Sequence, residues 1–335
     1  MIRLALVGYG YWGPNLARNI MANAEAELVI LCERDPARLA VANSLYPGLA
    51  TTRDMQDVID DPSVAAVVIA TPLATHHEFT MAALRAGKHV LVEKPMAASS
   101  AEAAEMMGEA SSRNLVLLVD HTFVYTGAVR KMKELVRAEG FGQLRYYDST
   151  RINLGLFRQD INVVWDLAVH DLSIMAYLID AEPTAISATG HAHITGHGSN
   201  IAFLTLFFDS NVIAHVNVNW LSPVKIRRTI LAGSKQTIVY DDLDIGEKIK
   251  VYHNSIDIDP SPDEVHKLLV SYRTGDLWSP KVDDTEALSR ELQHFLACIN
   301  GEETPLTGAQ QGLNLIYLLE AADISMQQNG APVEL

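Results

Sequence analysis

A glycine pattern directly after the first apolar run of the chain constrains the fold more than any other feature. The run Ile2–Val7 leads straight into Gly8, Gly10 and Gly13, in the spacing G-x-G-x-x-G. In such a pattern Gly8 permits a tight strand-to-helix turn, Gly10 lets the backbone approach a pyrophosphate, and Gly13 lets the helix pack closely on the strand. The N–H groups at the start of that helix attract phosphates. The pattern therefore predicts a dinucleotide-binding strand–helix unit.

An acidic residue stands where such a unit needs one. A second apolar run, Leu28–Cys32, ends in Glu33, at the distance from the glycines where a carboxylate can hold ribose hydroxyls. Because a carboxylate repels a 2′-phosphate, Glu33 predicts NAD as the cofactor. The neighbouring Arg34 could instead recruit that phosphate, so NADP is the alternative. Tyr11 and Trp12, inside the glycine loop, are further predicted cofactor contacts.

The pattern of apolar runs divides the chain in two. Through the first 120 residues, continuous apolar runs alternate with helical patterns, which is typical of a parallel sheet with crossover helices. After about residue 122, closely spaced β-branched runs follow one another without helices between them, which indicates an antiparallel sheet. We predict an α/β protein. Residues 1–122 form a Rossmann domain, and residues 123–335 form an α+β domain, built on a large open, mostly antiparallel sheet, for substrate binding and oligomerisation.

Composition narrows the class of partner. The formal net charge of −15 argues against nucleic acid and against an anionic membrane, because both favour basic surfaces. Cys32 and Cys298 are the only cysteines and are predicted to be reduced packing residues. The opening apolar run is too short for a signal sequence or a membrane span. We expect a cytoplasmic protein.

Polar residues follow two of the predicted parallel strands. Ligands bind beyond the carboxyl ends of strands in an open α/β sheet, so residues placed there can touch a cofactor. Glu93 and Lys94 follow the fourth predicted strand, although Lys94 could equally be a solvated strand-end lysine. Thr71 and Pro72 follow the third, where they would lie near the nicotinamide half of a dinucleotide, and His76 comes shortly after. All five are predicted cofactor contacts.

A histidine and a carboxylate share a spacing suited to proton transfer. Asp166 and His170 are four residues apart in a predicted helix, roughly Val163–Leu178, which would place both side chains on one face. An imidazole oriented by a carboxylate can act as a general base. A structural i,i+4 pair is the alternative. No metal site is predicted, since no cysteine or further histidine nearby has ligand spacing.

Taken together, four motifs resemble the Gfo/Idh/MocA oxidoreductase family, over nearly the whole chain. They are Gly8-x-Gly10-x-x-Gly13, Thr71-Pro72 with His76, the block from Ala86 to Pro95 that reads AGKHVLVEKP, and Asp166-x-x-x-His170. The resemblance implies a Rossmann domain, a second domain with an open antiparallel sheet, and a tightly held NAD or NADP.

The resemblance also implies catalytic roles. Lys94 would contact the reacting hydroxyl, Asp166 would position the substrate and the imidazole, and His170 would exchange the hydroxyl proton. The segment Glu302–Ala322 resembles members that act on nucleotide sugars.

The chain departs from the common family pattern in two places. Val124, Thr126 and Gly127 stand where members often carry Arg, Asn and Pro, and Asn162 with Val163 replaces a frequent pair of glycines. These changes affect any substrate contact inferred from the family. Polar residues before the predicted catalytic helix could line a sugar or phosphate site, or could simply lie on the surface: Arg151, Asn153, Arg158 and Asn162.

The sequence thus predicts an NAD-dependent oxidoreductase that transfers a hydride between nicotinamide and a ring hydroxyl or ketone of a sugar. A nucleotide-linked hexose derivative, such as a UDP-N-acetyl sugar or its uronic acid, is the leading substrate. The alternatives are an inositol or free-aldose dehydrogenase, and a regulator that senses a dinucleotide or sugar without turnover.

A homodimer or homotetramer is also predicted. Ile201, Phe203, Thr205 and Phe207 would lie on one face of a strand, and the residues between them, also apolar, on the other. A sheet that is apolar on both faces needs two covers, and a second copy of the chain is the simplest one. The alternative is that the terminal helices cover it within one chain.

Overall fold

The computed structural model describes residues 1–155, 160–194, 198–253 and 275–335. The chain forms two compact units. The first comprises Met1–Tyr125 and Thr285–Glu320, and the second comprises Thr126–Asp284 and Ala321–Leu335. The first crossing between units lies close to the predicted boundary at residue 122. The return of the chain to the first unit near its end is not part of that prediction.

The first unit contains the predicted parallel sheet. Its six strands pair in the order β3-β2-β1-β4-β5-β6, and the strand order reverses between β1 and β4. The strands are β1 (Ile2–Val7), β2 (Ala26–Cys32), β3 (Ala50–Thr52), β4 (Ala66–Ile69), β5 (His89–Glu93) and β6 (Leu117–Asp120). The connecting helices are α1 (Gly13–Ala22), α2 (Pro36–Leu45), α3 (Met55–Asp60), α4 (His76–Arg85) and α5 (Ser100–Ser112). This arrangement agrees with the predicted alternation of apolar runs and helical patterns, in which the short strand β3 has no counterpart.

A helix from the end of the chain completes the core of this unit. Helix α8 (Ala287–Ile299) packs its apolar stripe into the cluster formed by Leu4, Leu6 and Ile20. The stripe consists of Leu288, Leu292, Phe295 and Leu296, at the spacing of one helix face. The domain prediction placed this segment in the second domain. Its physical partner is the sheet of the first, because the helix supplies apolar cover that this sheet needs on its buried face.

The second unit contains a nine-stranded sheet in the order β14-β13-β12-β11-β7-β10-β9-β8-β15. Only β7 and β10 pair in parallel among these strands, so the predicted mostly antiparallel sheet is confirmed. The strands are β7 (Leu144–Leu154), β8 (Ala185–His191), β9 (Ile201–Phe207), β10 (Ile213–Asn219), β11 (Leu221–Gly233), β12 (Gln236–Asp241), β13 (Ile249–His253), β14 (Leu277–Trp278) and β15 (Val333–Glu334). The helices are α6 (Gly127–Arg137), α7 (Val169–Leu178) and the end of α9 (Ala309–Gln327).

The two faces of this sheet differ in exposure. On β9, Ala202, Leu204 and Leu206 are buried, whereas Phe203 is 41% and Phe207 is 38% exposed. The same alternation runs along β10, where Ile213 is exposed and Ala214 is buried. One face therefore packs in the core of the unit, and the opposite face presents aromatic and aliphatic side chains at its surface.

Two further features bear on the sequence predictions. In the described ranges, no helix combines the length and apolarity required to cross a bilayer. Cys32 and Cys298 are both buried and form no disulfide. The cytoplasmic location stays a prediction.

Candidate active site

The glycine turn of the first unit has the shape that a dinucleotide requires. Gly8 has a φ of +98°, and a Cβ atom there would lie 2.4 Å from the carbonyl oxygen of Ala70. A Cβ on Gly13 would lie 2.4 Å from the carbonyl oxygen of Gly8. A Cβ on Gly10 would meet nothing closer than the Arg38 guanidinium, at 3.4 Å. The first and third glycines are thus required by the fold, and the second leaves the backbone open to a ligand.

The N-terminus of α1 is also prepared for an anion. Trp12 occupies the N-cap position and its side chain makes no capping hydrogen bond, while Pro14 supplies no N–H at the second position. The N–H groups of Asn15 and Leu16 donate to the carbonyl oxygen of Trp12, at 2.9 and 3.1 Å, so this end offers a phosphate the N–H of Gly13 and the positive end of the helix dipole. Tyr11 and Trp12 lie on this loop with their rings edge to face, 5.5 Å apart and largely exposed.

Glu33 is fixed beside this turn. Its carboxylate accepts hydrogen bonds from the backbone N–H of Tyr9, at 2.6 Å, and of Asp35, at 2.8 Å. The two bonds hold the acid at the carboxyl end of β2, where the ribose of a bound dinucleotide would need it. Arg34 is exposed. The turn, the open helix end and the fixed acid together fit an NAD-type cofactor.

His76 joins the two loops that carry the other predicted cofactor contacts. Its Nε2 atom lies 2.8 Å from the carbonyl oxygen of Thr71, and its Nδ1 atom lies 2.8 Å from that of Pro95. The ring is buried. His76 therefore links the loop after β4 to the loop after β5, and it has little surface left for a direct cofactor contact.

The two lysines of the AGKHVLVEKP block have different environments. Lys88 is buried, and its ammonium group donates to the carbonyl oxygens of Asp61, at 2.7 Å, and Val64, at 3.0 Å. Burial lowers its pKa. Lys94 is half-buried at the end of β5, next to a cis peptide bond with Pro95. Lys88 thus holds the fold together, while Lys94 keeps exposed surface at the ligand-binding edge of the sheet.

Behind Lys94 lies a set of buried acids, here called the acid cluster: Glu93, Asp120 and Glu291. Strand register places Glu93 opposite Asp120, and Glu291 comes from α8. Among the described residues, no well-aligned hydrogen bond reaches either carboxylate oxygen of Glu291 or Oε1 of Glu93, while Asp120 lies close to both glutamates and Thr122 close to Glu291. Burial, followed by the charge of Asp120, raises the pKa of both glutamates well above the ordinary range.

A neutral histidine adjoins this cluster. His121 is buried, and burial together with the Lys94 charge lowers its pKa to about 3. Near neutral pH the environment of Lys94 thus holds a neutral imidazole and two glutamates, Glu93 and Glu291, whose raised pKa favours the protonated form. The described residues contain no group of three His, Cys, Asp or Glu side chains arranged to hold a metal ion.

In the second unit, the predicted catalytic helix begins with a π-turn. Residues Val164–Ala168 are π-helical, and regular α7 begins only at Val169. Asp166 therefore lies in the π-turn and His170 in the first turn of the α-helix, so the expected i,i+4 arrangement on one regular helix is not observed. Single π-turns occur frequently at functional sites. Both side chains are half-exposed, and the indole N–H of Trp220 donates to Oδ2 of Asp166 at 3.1 Å.

Two of the residues predicted to bind substrate have structural partners. Arg151 is 4% exposed and donates from Nε to Asp171 at 2.6 Å, an ion pair that Ser149 supports. Asn162 accepts from the N–H groups of Val164 and Trp165 and donates to Asp323 at 2.7 Å. Neither arrangement leaves much of the side chain for a ligand.

The other two substrate predictions are differently placed. Asn153 lies half-buried near the end of β7, and Arg158 lies outside the described residues. Sequence reasoning missed Asp120, His121, Glu291, Trp220 and Asp323. The sequence carried a signal only for Asp120 and His121. These residues come at the end of a predicted parallel strand, and its carboxyl end lies at the same edge of the sheet as the end of the strand that carries Glu93.

Known proteins share this architecture. Residues 2–121 match the model of the "Oxidoreductase family, NAD-binding Rossmann fold", and residues 129–239 match that of the "GFO/IDH/MocA C-terminal domain". A crystal structure of a protein from Magnetospirillum magnetotacticum MS-1 superposes with a TM-score of 0.82 at 31% identity, covering 96% of this chain and 99% of that one.

Relatives of assigned activity differ in their substrates. The scyllo-inositol 2-dehydrogenase (NAD(+)) of Bacillus subtilis is 26% identical, with 100% of this chain and 96% of that protein covered. The UDP-N-acetylglucosamine 3-dehydrogenase of Acidithiobacillus ferrooxidans is 28% identical over 66% of this chain and 69% of that protein. The match to an uncharacterized oxidoreductase of Streptococcus pneumoniae, 28% identical, spans 57% of this chain and 53% of that protein. Because models of both family domains match, this chain belongs to the GFO/IDH/MocA family of NAD-binding oxidoreductases.

Proposed function

We propose that the protein is an NAD-dependent dehydrogenase that interconverts a ring hydroxyl and a ketone of a sugar. The observation that carries the proposal is the open dinucleotide cradle of the first unit. It combines the Gly8–Gly13 turn, an α1 N-terminus without a side-chain cap, and the fixed carboxylate of Glu33. These features support binding of both the pyrophosphate and a ribose.

The preference for NAD rests on Glu33. Its carboxylate is held by two backbone N–H groups, so it cannot easily turn away from a 2′-phosphate, and repulsion disfavours NADP. Glu33→Gln should weaken NADH binding about tenfold, because a hydrogen bond to a charged group is lost. Glu27→Gln, at an exposed position on β2, is the matched control. Tighter binding of NADPH than of NADH by the unaltered protein in a direct titration would overturn the NAD assignment.

The chemistry is assigned to three side chains. When bound, NAD supplies the hydride acceptor. His170 takes the proton of the substrate hydroxyl, and Asp166 orients the imidazole and stabilises its charged form. Lys94 donates a hydrogen bond to the same hydroxyl oxygen and favours its deprotonated form. Half-exposure of all three side chains supports these roles.

A nucleotide-linked hexose is the leading substrate class, and inositol is the second candidate. The likeness of Glu302–Ala322 to nucleotide-sugar enzymes and the Acidithiobacillus relative support the first. The Bacillus relative, whose match spans the whole chain, supports the second. Of the three described residues that were predicted to bind substrate, Asn153 is the best suited to contact either one, because Arg151 and Asn162 are held by other partners.

The substrate test is a screen of UDP-sugars against inositols and free aldoses with NAD present. A true substrate should raise both the thermal stability and the absorbance of reduced nicotinamide. At a hundred times its dissociation constant, a ligand stabilises by about 2.7 kcal/mol, which a thermal shift detects. Stabilisation without turnover by every compound would support a sensor and overturn the dehydrogenase.

We further propose a homo-oligomer assembled through the exposed face of the nine-stranded sheet. Phe203, Phe207 and Ile213 are exposed on the same face of neighbouring strands β9 and β10, where Phe207 lies opposite Ile213. An apolar surface of this kind is typical of a protein interface. We expect the molar mass in solution to be that of a dimer or a tetramer.

A further inference from the structure

We infer that Asp323 and Trp220 are positioning residues that hold the π-turn and its Asp166 carboxylate in place. The inference rests on the role proposed for Asp166 and names the side chains through which that residue is held. Both lie far from Asp166 in sequence, and neither belongs to a motif that the sequence analysis identified.

Asp323 bridges two residues at the start of the π-turn. Its Oδ1 atom accepts from Nδ2 of Asn162, and its Oδ2 atom accepts from Nε1 of Trp165, each at 2.7 Å. Asn162 in turn caps the turn by accepting from the N–H groups of Val164, at 2.9 Å, and Trp165, at 3.2 Å. The carboxylate of Asp323 thus fixes both the capping residue Asn162 and the indole ring of Trp165.

Asp323 itself stands on an anchored segment. Two residues further along α9, the buried Ser325 accepts from the N–H of Ala188 on β8, at 2.8 Å. Its hydroxyl also donates to the carbonyl oxygen of Ala331, at 2.6 Å. The sheet therefore fixes the end of α9, and α9 fixes the π-turn through Asp323.

Trp220 holds the other side. Its ring is fully buried at the end of β10, and its indole N–H donates to Oδ2 of Asp166 at 3.1 Å. The backbone of Trp220 donates to the carbonyl oxygen of Asn200 and accepts from the N–H of Gly155, both at 2.9 Å. A Cβ atom on Gly155 would lie 2.7 Å from the indole ring. The backbone bonds and the close packing of Gly155 thus fix the position of the indole N–H.

The arrangement matters because a π-turn is not stabilised by a regular i,i+4 ladder. Its own backbone bond runs from the N–H of Val169 to the carbonyl oxygen of Val164, and side chains hold it on two sides, Asp323 on one and Trp220 on the other. A carboxylate held by packed donors is pre-organised to orient an imidazole, whereas a shift of about 1 Å can cost about 100-fold in rate.

Two variants test the inference by kinetics. Trp220→Phe removes the indole donor together with part of a buried ring, so its folded fraction is measured alongside kcat. The isosteric Asp323→Asn turns one of the two acceptors into a donor that faces a donor. Each should lower kcat about 10- to 100-fold while KM and the NADH dissociation constant stay within about twofold. Trp278→Phe, at an exposed position on β14, and Asp209→Asn, in an exposed turn, are the controls and should leave kcat unchanged.

Indole resonances provide a test that does not depend on turnover. The chain has four tryptophans, so Trp→Phe variants assign every indole N–H signal. Asp323→Asn should move the Trp165 signal directly and the Trp220 signal through the π-turn, leaving Trp278 unmoved. A Trp220 signal unchanged by Asp323→Asn would overturn the inference, as would Trp220→Phe with the kcat of Trp278→Phe. A wild-type protein that oxidises no sugar would defeat the proposed function alone, since the indole signals would still decide whether the π-turn is held in this way.

Discussion

In the first unit, Glu93 and Glu291 are buried and lack well-aligned hydrogen bonds on three of their four carboxylate oxygens, within the part of the chain that the structure describes. In the second unit, the buried Asp171 accepts from Arg151 at 2.6 Å and from Ser149 at 2.6 Å. Both sets of acids adjoin residues to which catalysis is assigned. They differ in that Asp171 accepts directly from a guanidinium and a hydroxyl with good geometry, whereas those three glutamate oxygens do not.

This difference determines what each acid can do. A buried carboxyl without donors favours its protonated form, so Glu93 and Glu291, whose pKa is raised, tend to add little negative charge near Lys94 at neutral pH. A buried carboxylate with donors stays charged and becomes a fixed structural link. Charge changes at Glu291 and Arg151 should therefore alter stability in opposite directions. Changes at the residues assigned to the reaction, and at those that position Asp166, should alter rate.

The largest expected effect is on rate. Replacing His170 with Ala should lower turnover about 10²- to 10⁴-fold, because a positioned general base is lost, and should leave NADH binding unchanged. His77→Ala is the matched control, since His77 lies on α4 and pairs with Glu105 at the surface. Turnover, NADH affinity and folded fraction are measured on the same preparations. If His170→Ala kept wild-type turnover across pH, the assigned base would be wrong.

The second effect is on stability, in the unit whose acids are compensated. Arg151→Met should lower the free energy of unfolding by about 3–5 kcal/mol, because it leaves the Asp171 carboxylate buried without its cation. Arg145→Met on the same strand is the control, since Arg145 is exposed. Urea denaturation measures both. Equal stability of the two variants would mean that the Arg151–Asp171 pair contributes nothing net.

The opposite sign is expected in the acid cluster. Because the pKa of Glu291 is raised in the folded protein, the folded chain retains a proton that the unfolded chain releases. Stability therefore falls as pH rises from the ordinary carboxyl range toward the raised pKa. Each unit of that elevation costs about 1.4 kcal/mol once both forms are ionised.

Glu291→Gln removes this cost. The variant should gain stability over the wild type at pH 8 and gain less or nothing at pH 4, giving a flatter profile. Glu302→Gln, at an exposed position, should follow the wild-type curve. Thermal denaturation across this range measures the difference, and a Glu291→Gln profile parallel to that of the wild type would contradict a protonated cluster.

The same comparison shows what the sequence could reveal. The glycine turn and Glu33 follow local rules, since each needs a particular residue at a fixed distance along the chain, and both were predicted. Arg151 was predicted as a substrate contact because sequence shows a cation without showing its partner, twenty residues away. Asp120 could have been placed beside Glu93, because parallel strands end at one edge.

Other features depend on tertiary structure alone. Glu291 reaches the acid cluster only because α8 returns to the first unit, and Asp323 and Trp220 meet the π-turn from distant elements. The π-turn itself carries no signal in apolar periodicity, which predicts one continuous helix. A local sequence motif was therefore enough to identify the glycine turn and Glu33. The contacts of Asp323 and Trp220 with the π-turn could be found only from the three-dimensional structure.

The sheets extend the comparison and give the smallest expected effect on stability. The six-stranded sheet has buried residues on both faces, as β4 shows along its whole length, whereas the nine-stranded sheet exposes Phe203 and Phe207. Phe203→Lys should change the stability of a single chain by no more than about 0.5 kcal/mol, because the side chain is already exposed there. It should nevertheless convert the proposed oligomer to a monomer, since a charge in an apolar interface is not compensated.

Ile245→Lys is the matched control, because Ile245 is 97% exposed in a turn and its replacement should leave the mass unchanged. Light scattering at micromolar concentration distinguishes the outcomes. A monomeric wild type, or an oligomer that tolerates Phe203→Lys as well as Ile245→Lys, would mean that the exposed face of this sheet is not the interface.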